Sequence, residues 1–316
     1  MIDQAMNDRN KNRPGTGKRN SKQKLAFSLF MFGTIGIFVR HIPLPSSVIA
    51  VARGVIGSLF LLLYLRRKRQ SLSLPDIRRN GRILLLSGAC MGINWILLFE
   101  AYHYTTVAIA TLCYYMAPVF VILASAFLFR EKLTPLKGLC LAGALVGMLL
   151  VSGVLQNGFA GSADTTGILL GLGAAALYAC VVLLNKYLKN ISAMDATIVQ
   201  LGASAVVLFP YTLFTETLTD LALSPTAAIL LATVGILHTG ITYAMYFGSM
   251  QHLKAQTVAL YSYIDPLVAI LLSALLLKEP LGATGIAGAV LILGSTLLSE
   301  LSEHFVLRRS FRKYFR

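Results

Sequence analysis

Ten long apolar runs joined by short polar connections leave this chain few folds to choose from. They are Leu25–Val39, Ser47–Tyr64, Ile83–His103, Val107–Leu128, Leu136–Leu155, Gly167–Leu188, Ala193–Phe214, Ala227–Met250, Thr257–Leu277 and Gly282–Leu301. A helix crossing about 30 Å of hydrocarbon needs roughly 20 mostly apolar residues. Within lipid its backbone must hydrogen-bond to itself. The runs are about twice too long for membrane-barrel strands, and they lack the barrel's period-2 alternation. The expected fold is an all-α integral membrane protein of ten transmembrane helices in one bundle.

Charge then sets orientation. The 316 residues carry 28 Lys+Arg and 13 Asp+Glu, a net +15, yet only 13% are charged and 56% are hydrophobic. A soluble domain holds about 25% charged residues. A nucleic-acid binder needs a basic patch on a soluble fold; here the basic residues sit between apolar runs, so nucleic acid is excluded as a partner. With the N-terminus inside, 25 of the 28 basic residues fall on the cytoplasmic side, where Lys/Arg-rich loops stay. Arg40 and Lys278 are left outside, and Arg53 inside the second run. The expectation is a multi-pass protein of the plasma (cytoplasmic) membrane with both termini cytoplasmic. Its surplus charge would lie against anionic lipid headgroups, so the lipid bilayer is the partner it implies. Residues 1–24 have no apolar core and read as a disordered basic cytoplasmic tail, not a signal peptide. Residues 302–316 read as a second basic tail.

Cys90, Cys113, Cys140 and Cys180 lie inside runs at unrelated spacings, so they predict no metal site and no structural disulfide. No Walker-type phosphate loop occurs either, which leaves a gradient as the driving force for any transport.

The chain repeats itself. A shift of 148 residues aligns Gly92–Leu133 with Gly240–Leu281 without a gap, with 13 identities over 42 positions. These include Gly92/Gly240, Phe99/Phe247, Tyr115/Tyr263, Pro118/Pro266, Ser125/Ser273 and Glu131/Glu279. The halves divide as 25–155 and 167–301, with 156–166 an outer linker. Five spans per half is an odd number, so the halves run in opposite directions. Arg130-Glu131-Lys132 is accordingly expected inside and Lys278-Glu279-Pro280 outside. Inverted halves can exchange two near-equivalent conformations around a central site, the basis of alternating access.

The stretch Gly92-Ile93-Asn94-Trp95…Phe99-Glu100-Ala101-Tyr102…Thr105-Thr106, followed by Ala117-Pro118…Glu131-Lys132-Leu133, resembles the EamA domain of the drug/metabolite transporter superfamily. The second half resembles it again through Asp265-Pro266…Ser273…Lys278-Glu279-Pro280-Leu281. The resemblance covers nearly the whole chain apart from its tails. It implies ten helices in two inverted five-helix halves and a central cavity lined by the first four helices of each. It also implies a structural role for the peripheral fifth helices, Gly138–Leu155 and Gly282–Leu301. The family includes exporters of amino acids and related metabolites, and also importers.

Ionisable groups at membrane depth are costly and point to function. Three stand out: Arg53, Glu100 and Asp265. Asp265 precedes Pro266, whose missing N–H frees the carbonyl of Ser262 and opens a polar notch for a cation, an ammonium or a proton. Pro118 frees the carbonyl of Tyr114 in the same way; both prolines are candidate hinges. Glu100 either reaches the outer surface or faces the cavity. Arg53 either pairs with Glu100, reaches outward, or clamps a carboxylate. His238 is a core histidine or a proton relay. Asn94 and Trp95 mark mid-span of the third run. A mid-span tryptophan suggests a cavity wall for stacking or cation–π contact. Tyr114, Tyr115, Tyr178, Tyr243, Tyr261 and Tyr263 are candidates for the rest of an aromatic lining, some of them only packing.

The function expected is secondary transport of a small polar metabolite, first an amino-acid or amine exporter. The alternative is an importer of choline or another quaternary ammonium held in an aromatic cage. Neither requires a cofactor or a metal, and no catalytic motif marks an enzyme. A coupling proton or cation and a homodimer both stay open.

Overall fold

A backbone in lipid can satisfy its polar groups only within its own segment, and the described residues of this chain are helical, with no strand among them. The structure, a computed structural model, describes residues 14–128, 135–151, 163–216, 224–250, 253, 261–262, 264–279, 281–295 and 297–298. Tyr263, Arg130-Glu131-Lys132, the C-terminal tail 302–316, residues 1–13 and most of the 156–166 linker lie outside the described residues.

In chain order the helices are α1 (Pro14–Arg40), α2 (Ser46–Arg67), α3 (Leu74–Tyr104), α4 (Val107–Tyr114), α5 (Ala117–Leu128), α6 (Pro135–Val151), α7 (Ala163–Asn185), α8 (Ala193–Thr215) and α9 (Pro225–Thr233). A π-helix (Val234–Ile241) follows, then α10 (Thr242–Met250), α11 (Ile264–Leu276) and α12 (Ala283–Ser295). Among the described residues, seven helical stretches are long and apolar enough to cross a membrane. The fifth, ninth and tenth runs appear as shorter apolar helices, Gly138–Val151, Ile264–Leu276 and Ala283–Ser295. α1 starts at Pro14, before the expected tail boundary at residue 24. Proline suits that first turn, where its missing N–H has no partner to lose.

Side chains cap several helix starts. Thr106 accepts from Ile109 N at 3.1 Å, Ser192 from Asp195 N at 3.0 Å and Ser224 from Ala227 N at 3.1 Å. Two helices depart from the simple reading. The fourth run is broken at a turn over Tyr115 and Met116, just before Pro118. The eighth winds as a π-helix through its middle, which no periodicity in that run announced.

The packing repeats with the halves exchanged. α3 packs along α8, as the π-helix packs along α2; α3 along α7, as α10 along α1; α4 and α5 along α7, as α11 along α1. The pair α2–α8 maps onto itself, as does the contact between the fourth and ninth spans, made here by α4 and α11. This is the pattern that a duplicated bundle produces. Gly147 and Gly288 bring α6 and α12 together: a Cβ on either would fall within 2.8 Å of the other's carbonyl oxygen. Small residues serve this purpose in lipid, where close packing replaces the hydrophobic effect as the force between helices.

Candidate functional site

Where the broken fourth span meets α1, α3, α10 and α11, a cavity of about 310 Å³ lies between the halves. Among the described residues neither α6, α8 nor α12 contributes to its wall. The wall is mostly aromatic. Trp95, Phe99 and Tyr102 come from α3, Tyr114 and Tyr115 from the end of α4, Tyr178 from α7, Tyr243 and Tyr246 from α10, and Phe32 from α1. The rings brace one another: Tyr114 and Tyr178 are 5.5 Å apart between centroids, Phe32 and Tyr243 5.3 Å.

Two charged groups face this chamber, Arg53 and Asp265. Arg53 is 5% exposed, with its guanidinium carbon 4.2 Å from the centre of the Trp95 ring and 5.8 Å from that of Phe99. Its Nε donates to Thr239 Oγ1 at 2.8 Å. Among the described residues its terminal amino groups hold no hydrogen bond, and Arg53 belongs to the cavity wall. Asp265 sits in the first turn of α11, beside the Tyr115 hydroxyl, which donates to the Ser262 carbonyl at 3.3 Å. The carbonyl that Pro266 deprives of its helical partner is thus met by a hydroxyl from the other half. The buried Thr111 hydroxyl lines the same space with no hydrogen-bond partner among the described residues.

Of the residues singled out in sequence, Arg53, Trp95, Tyr114, Tyr115, Pro118, Tyr178, Tyr243 and Asp265 line the cavity. Five others have different surroundings. Asn94 is buried at 1% exposure and donates to the Ala174 carbonyl, tying α3 to α7. Glu100 accepts from Ser46 Oγ at 2.7 Å at the start of α2, a position where the helix dipole favours a carboxylate. His238 is fully buried in the π-helix, its Nε2 2.8 Å from Thr34 Oγ1 and its ring edge-on to Phe38. Pro266 is buried in α11 away from the wall, and Tyr261 packs against Leu25 and Leu29.

Leu98 and Tyr246 were not singled out in sequence, although the repeat contains the signal that finds them, and Ser262, expected there through its freed carbonyl, belongs to the wall as well. Shifting by 148 pairs Trp95 with Tyr243, Leu98 with Tyr246, Tyr114 with Ser262 and Ala117 with Asp265, and all eight residues line the cavity. The chamber is therefore built twice from one pattern, and Asp265 breaks its symmetry by standing where the other half has Ala117. No periodicity signal marks Phe32 or Tyr102, whose helices are apolar on every face.

A family model described as the EamA-like transporter family matches residues 25–153 and again 165–301. The uncharacterized transporter YxxF of Bacillus subtilis (strain 168) is 32% identical over 249 residues, 79% of each chain. An uncharacterized transporter of Archaeoglobus fulgidus is 27% identical over 283 residues, 89% of this chain and 96% of that one. A solved crystal structure shares the fold with a TM-score of 0.63 at 18% identity, covering 89% of this chain and 98% of that chain.

Proposed function

Because the chain belongs to the EamA-like transporter family, we propose that it carries a small zwitterionic metabolite through this cavity by alternating access, with amino acids bearing an apolar or aromatic side chain as the first class. Arg53 would take the carboxylate, Asp265 the ammonium, and the aromatic walls the side chain. The observation that carries this reading is the pairing of one buried cation and one carboxylate in a single aromatic chamber. A zwitterion satisfies both groups at once. A guanidinium facing its ligand with free N–H donors is suited to a planar carboxylate.

A quaternary ammonium fits less well. It would leave Arg53 without an anion in a dry site, which is costly. It would also find the face of Trp95 already covered by that guanidinium. The Lys/Arg distribution supports a plasma-membrane protein with cytoplasmic termini, and export is the direction to test first. The gradient that drives net flux, whether the substrate's own or that of a coupled proton or cation, follows from the same assay.

Purified protein is to be screened by thermal shift against L-leucine, isoamylamine and choline, and then reconstituted for radiolabelled flux. Stabilisation and flux with L-leucine, weaker with isoamylamine and absent with choline, is the expected order. Flux of choline without any of the amino acid would overturn the proposal.

A further inference from the structure

Three side chains in the π-helix and at its C-cap bond to the carbonyl five residues earlier. Thr239 Oγ1 donates to Val234 O at 3.0 Å, Thr242 Oγ1 donates to Leu237 O at 2.7 Å, and His238 Nδ1 lies 3.4 Å from Thr233 O. Each hydroxyl thereby reinforces the i to i+5 ladder of a π-helix, a rare form that recurs at functional sites. Thr239 spends its proton on Val234, so its oxygen is left as an acceptor, and it accepts Arg53 Nε at 2.8 Å. The approach is close because α2 has Gly57 at the contact; a Cβ there would run into the Thr239 methyl group. The hydroxyl is fully buried, and Nε is committed to it.

We infer that Thr239, presented by the π-helix, is a positioning residue for substrate recognition: it anchors the Nε edge of Arg53 so that the guanidinium lies over Trp95 and turns its terminal N–H donors to the cavity. The inference rests on the reading that Arg53 meets the substrate carboxylate. An insertion-like π turn moves the following residues round the helix by about 100° for each residue added. The eighth span thus brings one hydroxyl to α2 that a regular helix would direct elsewhere. The residue then sets selectivity for a carboxylate without touching the substrate.

The test uses the only tryptophan of the chain. Trp95 emission of the purified full chain, measured without substrate, reports directly on the stacked guanidinium. T239V and R53Q should shift that emission in the same sense, and T239S should restore the wild-type spectrum. In proteoliposomes T239V should raise the KM for L-leucine about tenfold or more, as expected when a charge-assisted contact is lost. Its Vmax should stay within about twofold of wild type, and isoamylamine flux, which involves no carboxylate, should not respond. T239S should restore the L-leucine KM. If T239V emission equals wild type, the positioning role falls, whatever the flux shows. If T239V and R53Q both shift the emission but R53Q leaves the L-leucine KM unchanged, the anchor stands and the carboxylate reading falls. Should T239V not fold, R53K decides. Lysine keeps the charge but gathers its donors on one nitrogen, with no planar group and no separate Nε edge to anchor on Thr239 while a second edge faces the cavity, so a wild-type spectrum and KM in R53K would overturn the inference.

Discussion

Arg40 and Glu279 form an ion pair at 3.3 Å that joins the end of α1 to the segment following α11. The same two side chains bind backbone across the junction: Arg40 donates to the Thr105 carbonyl at 3.1 Å, and Glu279 accepts from Val107 N at 3.2 Å and from Ser273 Oγ at 2.9 Å. The Glu279 carboxylate therefore sits at the N-terminus of α4, where the helix dipole favours it. The network lies four residues past Gly36, which lines the cavity, about 6 Å along the helix. It ties the end of α1 to the start of α4 and to the segment after α11 with polar bonds. Leu25, Leu29, Phe32, Tyr246 and Ile264 pack together towards the other end of α1.

Loosening this network should favour the conformation open at the Arg40 end. In a background with Cys90, Cys113, Cys140 and Cys180 replaced by alanine, an Ile35→Cys reporter should react faster with a membrane-impermeant thiol reagent when Arg40→Gln is added. A partly exposed pair contributes at most about 1 kcal/mol, so the increase should reach no more than about fivefold. An unchanged rate would show that the pair only holds the surface.

Asp265→Asn should abolish transport or uncouple it from its driving gradient while leaving expression and monodispersity intact. Proteoliposome flux measured across a pH series is the check. Wild-type flux with a wild-type pH profile would remove Asp265 from the site.

Trp95→Phe should weaken substrate binding modestly and leave the fold in place. Phenylalanine keeps an aromatic surface but offers the Arg53 guanidinium a weaker face, a difference of about 0.5–1 kcal/mol or roughly two- to fivefold in Kd. Isothermal titration against the best ligand from the thermal-shift screen measures it. Trp95→Ala is a poorer probe, because Trp95 is 5% exposed and belongs to the main apolar cluster.

Two glycines should respond with opposite sign. A Cβ on Gly33 would lie 2.5 Å from the Asp265 carbonyl oxygen and 2.7 Å from Val268 Cβ, so Gly33→Ala should force α1 and α11 apart and cost about 1–3 kcal/mol. A Cβ on Gly202 meets nothing within 4 Å, and Gly202→Ala should stabilise α8 by about 0.5–1 kcal/mol through helix propensity alone. Thermal unfolding of both variants in one detergent tests the pair.

Much of the architecture is legible in the residues because lipid imposes few and strong rules. Length and apolarity announce the spans, and the 148-residue shift announces a duplicated bundle. The twofold logic even extends to the cavity, where Trp95 and Tyr243 face one another in role as they do in alignment. The sequence alone leaves open the direction in which a side chain points. Glu100 and Asp265 look alike as buried carboxylates, yet one receives a serine hydroxyl at the start of α2 and the other faces the chamber. Asn94 and Trp95 are neighbours in the chain, about 100° apart on the helix. One therefore bonds the Ala174 carbonyl, and the other stacks on Arg53 in the wall.

The sequence by itself determined the all-helical membrane fold, the internal duplication and the short inventory of charges that lipid makes expensive. Only the tertiary structure decided which of those charges share a cavity. A soluble helix marks its inner face by being polar on the other, but a helix in lipid is apolar all round, and its period says nothing about which side meets protein. The π-helix adds a change of register that no hydrophobic pattern records. The grouping of Arg53, Trp95, Thr239 and Asp265 is set by helix packing, and the chemistry of the site resides in that grouping.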